Sequence, residues 1–199
     1  MEKPLQKVER LGKANRRELL DLLIEAFTGH HPLVPALSHK PGATRGVMKA
    51  FLDFFGSSQG SWFYGLREAG KLVCASVSVD SVVEPSPLAL IRFVLTLCWT
   101  LGWRSAKELE LVHKEEPEYE DRYLELVILG TRPAYQRQGF GRRMLHFLHE
   151  EAKRSNFKGV ILVADKDTPA FRLYLKESFA VDKECLVGGR TLCWMRRFF

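Results

Sequence analysis

Cysteine is scarce in this chain. The four that occur, Cys74, Cys98, Cys185 and Cys193, are widely spaced in apolar surroundings. They form no Cys-x-x-Cys pair and lack the density of a disulfide scaffold, so reduced core residues are expected. Long apolar runs are also missing. The longest, Leu88 to Trp103, is short of the roughly 20 residues a membrane span needs and is broken by Arg92, which favours a packed or cleft-lining helix. No apolar stretch follows Met1-Glu2-Lys3-Pro4, so no secretory signal is expected and the cytoplasm is the expected location. His-Glu-x-x-His is absent. His146 and His149 lie three apart on an expected helix without a cysteine or carboxylate set spaced to join them, so a solvated face is expected and no metal. Despite a net charge of +6 there is no long Lys/Arg run. The basic residues gather near one glycine motif and at the C-terminus, which suits a small polyanionic cofactor better than nucleic acid.

What is present fits one soluble globular domain over residues 1–199, with 46% hydrophobic and 27% charged residues and no repeat, low-complexity tract or linker. One segment runs against the basic trend. Arg104 to Asp121 holds seven acids (Glu108, Glu110, Glu115, Glu116, Glu118, Glu120, Asp121) against three bases (Arg104, Lys107, Lys114), a balance of −4. Such a segment either draws in a cationic amine or is a solvated loop, the commoner case.

Periodicity sets the expected elements. Leu5 to Leu11 reads as a strand, and Asn15 caps a helix through Leu19, Leu22, Leu23, Ala26 and Phe27 that Gly29 and Pro32 stop. A second helix is expected from Thr44 to Phe55, then strands at Ser61–Arg67 and Leu72–Val82 turning at Ala69-Gly70. Pro85 and Pro87 open the apolar helix from Leu88, and a charged helix or loop leads up to Pro117. Tyr123–Leu129 reads as a strand, Gly139–Ser155 as a helix with Gly141, Met144, Leu145, Leu148 and Ala152 on one face, and Val160–Ala164 as a buried strand. Together they make a parallel crossover. A short helix from Pro169 to Lys176 precedes two strands, Phe179–Val187 and Thr191–Arg197, turning at Gly188-Gly189.

The informative segment is Leu126-Val127-Ile128-Leu129-Gly130-Thr131-Arg132-Pro133-Ala134-Tyr135-Gln136-Arg137-Gln138-Gly139-Phe140-Gly141-Arg142. A buried strand breaks at Pro133 and re-enters as a helix through two glycines, so main-chain N–H groups point outward with the positive end of the helix dipole behind them. Gly139 and Gly141 let phosphate oxygens approach without a Cβ in the way, and Arg137 and Arg142 add charge where a pyrophosphate would lie. A dinucleotide fingerprint would need a third glycine where Met144 stands, and no Gly-Lys-Ser/Thr exists for a P-loop.

Gln136-Arg137-Gln138-Gly139-Phe140-Gly141 resembles the Gln-x-x-Gly-x-Gly acyl-CoA pyrophosphate signature of the GNAT superfamily, here preceded by the strand and the Pro-x-Tyr usual there. Downstream, Asp167-Thr168-Pro169-Ala170-Phe171-Arg172-Leu173-Tyr174-Leu175-Lys176-Glu177-Ser178-Phe179 is similar to the family's Asn-x-x-Ala-x-x-Leu-Tyr-x-x-x-Gly-Phe. Asp167 stands for the usual asparagine, at the position of one polar cofactor contact, and Ser178 for the usual glycine, which asks for a slightly different helix exit. The likeness runs from Tyr123 to Phe199; the N-terminal half matches only in its order of elements. It implies an α/β (α+β) GNAT-like fold. That fold is a mixed, mostly antiparallel sheet of about six to seven strands, with a splayed parallel pair in the middle and helices on both faces.

The resemblance also implies a chemistry: an N-acetyltransferase moving acetyl from acetyl-CoA to a primary amine in a ternary complex, with no metal. Leu129, Gly130 and Thr131 would pair with the pantetheine arm. Gln136, Arg137, Gln138, Gly139, Phe140, Gly141 and Arg142 would hold the pyrophosphate, and Asp167 and Tyr174 would complete the cofactor site. A main-chain N–H at or near Leu129 would stabilise the oxyanion, a contact worth on the order of 3 kcal/mol elsewhere. The amine must arrive neutral. Glu125 resembles the catalytic glutamate of the histone-acetylating branch and is the first candidate base. A strand carboxylate facing outward in an ion pair is the alternative, because alternation does not fix which face is the cleft. His113, Glu110 and Tyr119 are weaker candidates. Tyr174 matches the tyrosine that can protonate the departing thiolate.

Chain length, the Ala26-Phe27 segment leading to Pro32, the helical insert and Gly189-Arg190-Thr191-Leu192-Cys193-Trp194-Met195 resemble the puromycin N-acetyltransferase-like branch, which acts on small amines. A small-molecule amine is therefore the expected partner, with no nucleic acid or membrane, for a monomer or homodimer. Phe54, Phe55, Trp62, Phe63, Trp99 and Trp103 are either an aromatic cleft or, as is commoner, core. Alternatives are acetylation of a protein N-terminus or lysine, a non-catalytic acyl-CoA sensor and, last, a nucleic-acid-binding module.

Overall fold

A computed structural model describes residues 7–28 and 41–199. The elements in chain order are β1 (Glu9–Arg10), α1 (Arg16–Phe27), α2 (Thr44–Ser57), β2 (Ser61–Glu68), β3 (Lys71–Asp80), α3 (Pro87–Leu101) and α4 (Trp103–Lys114). They continue with β4 (Leu124–Thr131), α5 (Phe140–Arg154), β5 (Gly159–Asp165), α6 (Pro169–Lys176), β6 (Ala180–Val187) and β7 (Arg190–Phe198). One seven-stranded sheet runs β1-β2-β3-β4-β5-β7-β6. Every neighbouring pair is antiparallel except β4 and β5.

Local chemistry explains most boundaries. Ala69 and Gly70, at φ +48° and +80°, close the β2–β3 hairpin, and Gly188 and Gly189, at +59° and +80°, close β6–β7. Two successive left-handed residues give the turn whose twist matches paired strands. Pro169 opens α6 behind Thr168, whose hydroxyl accepts the Phe171 N–H at 3.2 Å. Asn15 precedes α1 but does not cap it. It ends a 3-10 turn, and its Oδ1 accepts the Gly12 N–H at 3.0 Å instead. The expected first strand is reduced to Glu9 and Arg10, paired with Tyr64 and Gly65. Its start at Leu5, and the expected stop of α1 at Gly29 and Pro32, lie outside the described residues.

The helices cover both faces of the sheet. On one face α5 buries Met144, Leu145, Leu148 and Ala152 against Leu124, Leu126, Val160 and Leu162, joined by Phe171 and Tyr174 of α6. On the other, α1, α2 and α3 pack Leu22, Leu23, Met48, Leu52 and Leu97 over Val77 and Ile128. Further along that face Val112 of α4 meets Val187, Leu192 and Trp194. Each such apolar side chain contributes about 1.5–3 kcal/mol by leaving water. Among the described residues no helix is long and apolar enough to cross a membrane.

Candidate active site

The glycine turn lies at the C-terminal end of β4. A 3-10 turn, Pro133–Tyr135, leads into a loop in which Arg137 and Gly139 take left-handed φ values of +59° and +85°. Two amide side chains brace this loop: Gln136 Nε2 donates to the Thr131 carbonyl at 3.1 Å and Gln138 Nε2 to that of Ala134 at 2.9 Å. The first helical bond of α5 runs from the Arg143 N–H to the Gly139 carbonyl at 3.0 Å, so the amides of Phe140, Gly141 and Arg142 precede it. Those donors have no partner within the helix and lie at the positive end of its 15 residues, an arrangement suited to an anion.

The two motif glycines serve different ends. A Cβ on Gly139 would meet nothing within 4 Å, but its positive φ disfavours any other residue. A Cβ on Gly141 would lie 3.3 Å from Leu173 Cδ2, so this glycine lets α5 approach α6. Phe140 is buried in the core beneath α5. Arg137 is exposed, with no ion pair among the described residues. Arg142 is committed: its Nε donates at 2.6 Å to Oε1 of the buried Glu177, whose Oε2 lies 2.7 Å from His146 Nε2. His146 sits on the solvated face expected of it, its side chain 60% exposed, and from there ties α5 to the end of α6, while the His149 ring packs on Phe199. Burial opposes ionisation of Glu177, but the bonds from His146 and Arg142 outweigh it and hold its carboxyl below the ordinary range.

Beside the turn the parallel pair comes apart. β4 and β5 are in register only at Leu124–Val160, Glu125–Ile161 and Leu126–Leu162. Past that point β4 stays paired with β3 to Thr131, and β5 with β7 to Asp165. A gap thus opens between the middle strands toward the glycine turn. A bulge sits at its apex, where Val77 faces Ile128 while Ser78 faces Leu126, leaving Val127 unmatched. Leu124 and Leu126 face α5, whereas Val127 and Ile128 both face the opposite side. The extra residue reverses the alternation and returns Leu129 to the α5 side. Gly130 faces α1, where a Cβ would lie 3.2 Å from Phe27 and 3.3 Å from Ala26. Thr131 Oγ1 donates to Cys74 Sγ at 3.3 Å.

Ahead of the bulge, plain alternation sets which way Glu125 points. Flanked by Leu124 and Leu126, it faces away from α5 into a narrow pocket lined by Glu116, Tyr119, Ile161, Leu162, Val163 and Trp194. It forms no ion pair there among the described residues. Burial first, and the charge of Glu116 second, push its carboxyl up to about 7. Trp194 is 2% exposed, and its indole Nε1 has no hydrogen-bond partner among the described residues. Tyr119 is fixed from behind: its hydroxyl donates to Asp182 Oδ2 at 3.3 Å, and Arg196 binds Asp182 Oδ1 at 3.1 Å while lying over the Tyr119 ring.

Tyr174 is buried on the α5 face, its ring 5.7 Å from that of Phe179. Burial, with a smaller contribution from Cys74, raises its hydroxyl well above the ordinary tyrosine value. Asp167 is exposed, and its own N–H donates to Asp165 Oδ1 at 3.2 Å. Ser178 adopts φ +64°, the left-handed conformation a glycine would take without strain, so the helix exit is unchanged and the serine bears the cost.

Some expected groupings do not form. Phe54 and Phe55 pack with Phe93 and Phe51, whereas Trp62 packs on Phe157. Trp99 and Trp103 are 91% and 66% exposed, so the six aromatics do not line one cleft. Glu110 pairs with Lys114 at 2.7 Å on an exposed face, and His113 is exposed beside Glu116. Sequence reasoning missed Glu116, Trp194 and Glu177 as site residues. The acidic run before β4 was the one available signal for the first.

Residues 101–179 match the family model described as acetyltransferase (GNAT) family. That segment runs from the end of α3 through β4, the glycine turn, α5 and α6. No curated protein sequence matches it. Among solved structures, arylalkylamine N-acetyltransferase 2 from Aedes aegypti is 12% identical, covers 98% of this chain and 99% of its own, and gives a TM-score of 0.70. PaiA N-acetyltransferase from Thermoplasma acidophilum, in complex with coenzyme A, is 11% identical over 97% and 98% of the two chains, with a TM-score of 0.60. Naa50 from Arabidopsis thaliana, in complex with the bisubstrate analogue CoA-Ac-MVNAL, is 12% identical over 97% and 98%, with a TM-score of 0.58. What is shared at such identities is the fold, here with its splayed strand pair and glycine turn.

Proposed function

We propose that this protein is a member of the GNAT superfamily, an N-acetyltransferase that moves the acetyl group of acetyl-CoA onto the primary amine of a small molecule. One observation carries the reading. The gap between β4 and β5 joins an anion-binding helix end, at Phe140–Arg142, to a carboxylate on the opposite face of the sheet, Glu125. A ligand with a diphosphate, a linear arm and a reactive acyl end fits such a path. Its diphosphate would rest on the amides after Gly139 beside Arg137, and its arm along Leu129, Gly130 and Thr131.

The amine would reach the thioester from the Glu125 side. A carboxylate with a pKa of about 7 is matched to taking a proton near neutral pH. The nitrogen attacks the acyl carbon, its surplus proton passes to Glu125, and the C–S bond breaks. The thiolate is protonated by Tyr174, whose hydroxyl burial keeps protonated. The pocket around Glu125, about 10 Å³, admits roughly one water-sized group. An unsubstituted amine head is of that size, which favours a primary amine.

Thiol release from acetyl-CoA, followed colorimetrically over a panel of small primary amines, tests the reading. Amine-dependent release is expected. Tight binding of CoA by calorimetry without turnover on any acceptor would indicate a sensor, turnover of peptides alone would indicate a protein acetyltransferase, and no heat of binding would refute the assignment.

A further inference from the structure

The pocket at Glu125 has a second compartment. A cavity of about 380 Å³ lies beside it, lined by Ser81, Val82, His113, Lys114, Glu116, Pro117, Glu118 and Tyr119. Glu116 and Tyr119 line both spaces and so lie at the junction, here termed the passage, between the wider cavity and the narrow one. Tyr119 is held in place by Asp182 and Arg196, which gives the passage one fixed wall. Glu116 provides the other. Its side chain is 35% exposed, and its closest partner is the exposed ring of His113, with Nδ1 3.3 Å from Oε2. The neighbouring cation Lys183 is taken by Glu115, at 2.9 Å, and by its main-chain carbonyl at 2.7 Å. Lys114 is likewise taken by Glu110.

We infer that Glu116 is the specificity-determining residue of the acceptor site: it binds the incoming acceptor as a primary ammonium in the passage and delivers it to Glu125. This rests on the acetyl-transfer reading above. Three observations meet at the site. The passage lies between a ligand-sized cavity and Glu125; one of its walls is a carboxylate whose lysine neighbours are already paired; and the inner pocket is lined by Trp194, a buried residue whose indole N–H has no hydrogen-bond partner among the described residues. An amine is mostly protonated in neutral water and must be desolvated on the way in. A carboxylate at the entrance offsets that loss and selects for positive charge. Glu116 therefore differs in role from Glu125: the first binds the ammonium, the second receives its proton.

The two carboxylates are also coupled. The charged and titratable groups around Glu125 are Glu116 and Tyr119 from the segment after α4, with Asp182 and Lys183 of β6 and Arg196 of β7 behind Tyr119 and Trp194. Of these, Glu116 is the charge that acts on Glu125. Neutralising it should let Glu125 ionise at lower pH.

The test compares the wild type with Glu116→Gln on two acceptors, phenethylamine, which is cationic at neutral pH, and aniline, which is neutral. The substitution should raise KM for phenethylamine about tenfold or more relative to its effect on aniline, the loss expected for a charge-assisted bond. It should leave acetyl-CoA affinity by calorimetry unaltered and move the acid limb of kcat/KM to lower pH. An equal rise in KM for both amines, or an unmoved acid limb, would overturn the inference. If neither amine is acetylated by the wild type, binding of phenethylammonium to the protein–CoA complex is read by saturation-transfer NMR. Loss of that signal in the variant supports the ammonium site and retention overturns it, while absence of thiol release with every acceptor speaks separately against acetyl transfer.

Discussion

Replacing Glu125 with glutamine should make the protein more stable and less active, and the size of each effect follows from the pocket. The carboxyl is raised from its ordinary value of 4.5 to about 7, first by burial and then by the charge of Glu116. Below pH 4.5 it is protonated in both folded and unfolded chains and contributes nothing to the difference between them. Between 4.5 and 7 the unfolded chain releases its proton first, so stability falls as pH rises. Above 7 the folded state carries the whole penalty, about 3 kcal/mol for a difference of this size. Glutamine is neutral and nearly isosteric. At pH 8 Glu125→Gln should therefore gain up to about 3 kcal/mol in urea denaturation followed by tryptophan fluorescence, and at pH 4 it should match the wild type. Turnover should change in the opposite sense, falling by about 100-fold or more as the base is lost, with the acid limb of the wild-type profile near pH 7 no longer seen. A variant no more stable than the wild type at pH 8, or a wild-type acid limb below pH 5, would refute the reasoning about this pocket.

Other substitutions separate the remaining roles. Gly139→Val forces a branched side chain into a left-handed φ and sets bulk over the free amides of α5; calorimetry should show acetyl-CoA affinity reduced at least tenfold, and unchanged affinity would place the anion site elsewhere. Tyr174→Phe removes the buried hydroxyl while keeping the ring against Phe179, so kcat should fall with CoA affinity unaltered, and an unchanged rate would make the residue purely core. Ser178→Gly relieves a left-handed serine and should raise stability by about 1 kcal/mol, read as a higher urea midpoint.

Much of the fold was legible because its elements are written in local periodicity. The spacing of Met144, Leu145, Leu148 and Ala152 places α5, Gly188-Gly189 places the last hairpin, and Pro169 behind Thr168 starts α6 at the expected residue. The aromatic residues show the limit of that reading. Trp62 and Phe63 are adjacent on one strand and so point to opposite faces, while Trp99 projects to solvent. Hydrophobicity alone does not separate these outcomes, because burial depends on which element lies opposite. Asn15 shows the same on a smaller scale: a residue suited to capping spent its oxygen on Gly12.

The glycine turn could be read directly, since unpaired helix-end amides and a left-handed glycine are properties of a few consecutive residues. That a strand leads into it, and that a diphosphate would find donors there, needed only local chemistry. The direction of Glu125, its pairing with Glu116 and the passage beside Tyr119 needed the folded chain. A bulge at Val127 reverses the side-chain alternation halfway along β4, and packing of α4 on β6 and β7 brings an acidic segment to the β4–β5 apex. Neither a register shift between strands nor a contact between distant segments leaves a periodic trace in sequence, and so only the tertiary structure decided what the Glu125 carboxylate faces.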